Sequence, residues 1–171
     1  MRTAYYLNQV DKWVVRRAAN SGISLLRILL GVIFLWFGLP KFVPGLSPAE
    51  DLAIRTMDML SLHLVPSGVA YFLLALLETA LGIGLIVGRW LRLTLVLLLA
   101  HLVGTMAPLV LLPDRTWSAP LVASLEGQYI LKNLVLIAAG IVIAATLRGG
   151  DGDRGSVTRV AEPGLRMDVK L

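Results

Sequence analysis

Two ionisable residues sit where ionisable residues are costly. Glu78 lies near the middle of the apolar run Tyr71–Gly88, and His101 lies inside the apolar run Leu93–Leu112. A charged side chain at the centre of a membrane helix costs roughly 2.5–3.5 kcal/mol on insertion scales. Each residue therefore needs a partner or a use. The short turn Arg89-Trp90-Leu91-Arg92 joins the two runs and makes them antiparallel neighbours. At about 1.5 Å of rise per residue, their depths agree within about 3–4 Å. A Glu78–His101 contact is expected, as an ion pair or a neutral hydrogen bond. Such a pair can relay protons, hold a ligand or clamp two helices in register, and the sequence leaves all three uses open.

Other polar residues group around this pair by depth. Thr105 is one turn further out on the His101 helix and joins Glu78 and His101 as a ligand or relay candidate. Arg27 lies about 9 Å nearer the inner face than Glu78, so its side chain either reaches toward the acid or snorkels to lipid phosphate. At the outer edge, Lys41, Glu126 and Lys132 converge by depth, either as an anion site or as an interfacial ion cluster. No metal centre is expected. There are two histidines, and His63 falls in a separate outer segment. Met106 in an apolar helix reads as packing. No nucleophile elbow, glycine-rich nucleotide loop or paired catalytic carboxylates appear, so a stand-alone enzyme is not expected.

The elements that must position these residues are membrane helices. The chain has 171 residues and is 57% hydrophobic, well above the share in soluble domains. Four apolar runs, about 23–42, 69–88, 93–112 and 129–147, are each about 20 residues, or roughly 30 Å as a helix. The fold class is thus all-α, a polytopic bundle of four transmembrane helices over residues 21–147. Residues 1–20 place Leu7, Val10 and Val14 at helical spacing beside Trp13, Lys12, Arg16 and Arg17. That pattern predicts an interfacial amphipathic helix. Ser47-Pro48-Ala49-Glu50 reads as a capping box opening a short outer helix to about Leu64, with Ala53, Met57, Leu60 and Leu64 as its apolar stripe. Gly31 and Gly38 share a face of the first helix. Ala80, Gly84 and Gly88 make a small-residue ridge on the second. Pro108 is expected to kink the third helix. The segment between the third and fourth helices reads as irregular, and residues 148–171 as a disordered tail.

Charge gives the orientation. The net charge is +5, and most basic residues fall at the termini and in the second connection. The positive-inside rule puts both termini in the cytoplasm of a bacterial inner membrane. The basic side faces anionic lipid rather than nucleic acid, since no aromatic residues interleave the basic tail. The absence of cysteine excludes disulfides, thiolate metal sites and thiol-based redox centres within this chain.

Arg27, Phe34-Leu35-Trp36-Phe37-Gly38 and Lys41-Phe42-Val43-Pro44, followed in order by Leu77-Glu78, Arg89-Trp90-Leu91, Ala107-Pro108-Leu109-Val110 and Leu131-Lys132, resemble the DoxX/DoxD-like membrane protein family. The resemblance covers about residues 23–147. It is nearest the YkgB-type (DUF417) branch associated with resistance to reactive chlorine, although the outer loops here are shorter. It implies a small four-helix inner-membrane protein tied to redox or oxidative-stress systems and, in the DoxD branch, to a thiosulfate:quinone oxidoreductase. Together with the midplane pair Glu78 and His101, this leads to the expectation of an accessory or redox-stress membrane protein that binds a small apolar or anionic molecule, a quinone or a lipid, within the bundle. The competing readings are a proton-coupled transporter or channel acting as a homo-oligomer, and a ligand-free scaffold that recruits a soluble redox enzyme.

Overall fold

Among the described residues, four helices are long and apolar enough to cross a bilayer: Ser21–Phe42, Ser67–Val87, Leu91–Leu111 and Leu125–Leu147. The computed structural model describes residues 21–149. The interfacial helix expected over 1–20 lies outside them. So does the tail expected over 148–171, apart from its first residues, which end the last helix at Gly149.

Helix α1 occupies 21–38 and tightens into a 3-10 turn over Leu39–Phe42, where Pro40 cannot continue the α-helical hydrogen bonding. Helix α2 follows in the connection between the first two spans (Glu50–Leu60), then α3 (Ser67–Val87) and α4 (Leu91–Gly104). The third span breaks at 105–107 and resumes as α5 (Pro108–Leu111), because Pro108 has no N–H to donate and crowds the carbonyl of Gly104. The short α6 (Pro113–Thr116) leads into an antiparallel pair, β1 (Trp117–Ala119) and β2 (Val122–Ala123). The expected irregular connection is therefore partly ordered. Ser124 caps α7 (Leu125–Leu131), its Oγ accepting from Gly127 N at 3.1 Å, and α8 (Asn133–Gly149) completes the last span.

Lipid tails are as apolar as leucine, so these helices gain by packing closely rather than by leaving water. The tightest crossing joins α1 to α3. A Cβ on Gly82 would come within 2.8 Å of Gly31 O and 2.9 Å of Leu35 N, and a Cβ on Gly31 within 2.8 Å of Gly82 O. Gly82 is thus the partner of Gly31. Of the expected small-residue ridge on α3, Gly84 packs closely against Thr94 on α4, and Ala80 is exposed. The core around this crossing draws Leu30 and Phe34 from α1, Leu81 and Leu85 from α3, Leu98 from α4 and Ile143 from α8.

Two details of α2 differ from expectation. The capping box does not form; the helix starts at Glu50, whose Oε2 accepts from Gly45 N at 2.7 Å instead. The helix also ends short of Leu64. His63 N donates to Asp58 O at 3.0 Å, and Leu62 and His63 turn the chain in the left-handed region at φ 52 and 61. Leu60 and Leu64 are exposed as a result, and Thr56 is the residue α2 buries.

Candidate functional site

Glycine brings α1 against α3 a second time at Gly38, where a Cβ would meet Thr79 Oγ1 at 2.9 Å and Glu78 Cβ at 3.1 Å. This contact holds the 3-10 turn beside Glu78. Lys41 on that turn is buried, and its Nζ lies 2.5 Å from Glu78 Oε2. The same ammonium donates to Phe37 O at 3.0 Å, one turn back in α1. From α4, His101 Nε2 approaches Glu78 Oε1 at 3.5 Å, and its side chain is 7% exposed. Phe34 closes the site from below, its ring set edge-on to His101 at 5.8 Å between centroids. Three helices thus each contribute one polar side chain to a single point inside the bundle.

Such an arrangement can hold charge where an isolated charge could not stay. Desolvating a carboxylate and an ammonium is costly, and the cost is met only by close pairing with further hydrogen bonds. Both oxygens of Glu78 face a nitrogen, and two of the three Lys41 donor positions are engaged. With His101 neutral the trio carries no net charge, and a proton on His101 would add one positive charge. The trio therefore sets one carboxylate between an ammonium and an imidazole.

The remaining sequence candidates take other places. Arg27 does not reach Glu78. Its guanidinium lies against Gly88 at the C-terminus of α3, where the helix end favours a cation. Gly88 is needed there because its φ is 73, a conformation that side chains rarely adopt. Thr105 joins α4 to α8. Asn133 Nδ2 donates to Thr105 Oγ1 at 2.9 Å, and Thr105 Oγ1 donates to Leu102 O at 2.7 Å.

The outer group of Lys41, Glu126 and Lys132 is not assembled, because each has a different partner. Lys41 turns inward to Glu78, and Lys132 Nζ sits 4.5 Å over the Tyr129 ring. Glu126 pairs with Arg115 at 3.3 Å, and Arg115 also reaches Asp51 at 3.2 Å. Hydrogen bonding to Glu126 raises the Arg115 pKa above its ordinary value. This exposed network links α2, α6 and α7 on the outer surface.

Lys41 lies at the end of the first span, and its side chain turns inward to Glu78 rather than toward Glu126 and Lys132. The sequence signal for that direction is helical spacing. Arg27, Gly31, Phe34, Gly38 and Lys41 recur at intervals of three and four, so they share one face, and that face is turned to α3 and α4.

The family model described as DoxX matches residues 22–126, more than half of the chain and all of Lys41, Glu78 and His101. No curated protein and no solved structure matches the chain.

Proposed function

The chain belongs to the DoxX family, and from that premise we propose that it is the membrane component of a redox or oxidative-stress system, holding a small molecule of the quinone class at Lys41, Glu78 and His101. The observation that carries this reading is the buried trio itself. A quinone has an apolar ring, carbonyl oxygens that accept hydrogen bonds, and a reduced form that carries two further protons. Lys41 and His101 can donate to such oxygens, and Glu78 can accept from the hydroxyls of the reduced form. Phe42, next in sequence to Lys41, packs edge-on to Phe72 at 5.6 Å. Both rings are exposed and offer aromatic surface on the lipid-facing side. In this reading electrons come from a soluble redox enzyme, and a thiol relay within this chain is excluded by its lack of cysteine.

In this reading the protein sits in a bacterial inner membrane with both termini cytoplasmic. Its relation to the reactive-chlorine-resistance branch is part of the same proposal. Native mass spectrometry of the gently extracted chain, supplied with ubiquinone, tests the site. Wild-type protein should retain ubiquinone, and Glu78→Gln and His101→Ala should lose it while remaining folded. Equal retention by all three proteins would sink the proposal.

A further inference from the structure

The structure carries a second ligand-shaped feature at the opposite end of the bundle. A groove of about 410 Å³ runs between α3 and α4 on the lipid-facing surface, and it includes none of Lys41, Glu78 and His101. Ala80 leaves room in it by its small side chain, and Gly84, packed against Thr94, forms part of its floor. Ile83 and Val87 wall one side, and Leu93 and Leu97 the other. From Leu77 to Arg89 the groove follows α3 for about 15–18 Å by helical rise. That is about half of a hydrocarbon core of roughly 30 Å, the depth of one leaflet.

One end of this groove is charged. Arg89 and Trp90 stand at its mouth, both exposed. Among the described residues, the segments at this end of the bundle carry Arg27, Arg89 and Arg92 and no carboxylate. A second groove of about 360 Å³, between α4 and α8, also has an arginine, Arg92, in its lining. The pattern is an apolar channel one leaflet deep that ends at a basic, aromatic interface.

We propose that the α3–α4 groove is a selective site for an anionic phospholipid, with an acyl chain lying over Ala80 and Gly84 and the phosphate at Arg89. Zwitterionic lipid fits the apolar channel equally well but brings an ammonium beside Arg89, where the described residues place no carboxylate. Selectivity therefore comes from the headgroup and retention from the channel.

Native mass spectrometry of the full chain from micelles doped with equal phosphatidylglycerol and phosphatidylcholine tests this. Wild-type protein should hold one tightly bound phosphatidylglycerol per groove in preference to phosphatidylcholine. Arg89→Gln should lower phosphatidylglycerol retention by roughly fivefold and leave phosphatidylcholine unchanged. Ala80→Phe should fill the channel and lower retention of both. Ala80 and Arg89 are exposed, so neither change removes a core contact. Equal retention of the two lipids by wild-type protein would overturn the proposal. So would wild-type phosphatidylglycerol retention in either variant, or a dimer that excludes lipid from the groove.

Discussion

Replacing Lys41 by methionine keeps the length of the side chain and removes the ammonium that lies 2.5 Å from Glu78 Oε2. The carboxylate is then left buried, with its side chain 9% exposed and His101 at 3.5 Å as its remaining polar neighbour. Removing one partner of a buried pair costs about 3–5 kcal/mol, most of it the penalty of the abandoned charge. His101 can take up part of the burden, so the expected loss is near the lower end, about 3 kcal/mol. At about 2–4 °C per kcal/mol for a chain of this size, the melting temperature in detergent should fall by about 6–12 °C. Lys41→Met combined with Glu78→Gln removes both charges and should recover most of that loss, because replacing a whole buried pair by neutral groups is often close to neutral. Fluorescence-detected size-exclusion chromatography after heating measures the wild type and both variants. A single variant within about 2 °C of wild type, or a double variant no better than the single, would refute the reasoning from burial.

Other substitutions separate packing from chemistry. Gly82→Ala puts a methyl group against Gly31 O and Leu35 N in a crossing with no room for it, and should destabilise the bundle by about 1–3 kcal/mol in the same melting assay. Asn133→Leu removes the hydrogen bond to Thr105 and should cost only about 0.6 kcal/mol, the usual worth of such contacts in membranes, while quinone retention stays at the wild-type level. Ligand loss in Asn133→Leu would return Thr105 to the binding site.

The spans were legible because their signal is coarse. Four apolar runs of bilayer length survive errors of a few residues at each end, and Pro108 marks its own break. The Glu78–His101 contact was legible because a short turn fixes the register of α3 against α4. The Lys41–Glu78 pairing was not legible because no short turn fixes α1 against α3. It depends on the Gly31–Gly82 and Gly38–Glu78 contacts. Those contacts draw the 3-10 turn down beside the carboxylate. Gly82 itself was passed over because Ala80, Gly84 and Gly88 make a more regular pattern, and regularity does not say which face meets a neighbour. The capping box failed for a related reason. Glu50 had a choice of backbone donors, and the turn at Gly45, with φ 77, presented the better one.

Photolabelling in bilayers tests the central claim most directly. An azido-quinone activated in proteoliposomes of the full chain should attach to the peptides that carry Lys41, Glu78 and His101. Excess unlabelled ubiquinone should suppress this labelling, and it should be absent in Glu78→Gln. Label spread evenly over the lipid-facing helices, or unchanged by Glu78→Gln, would contradict a quinone site at the trio.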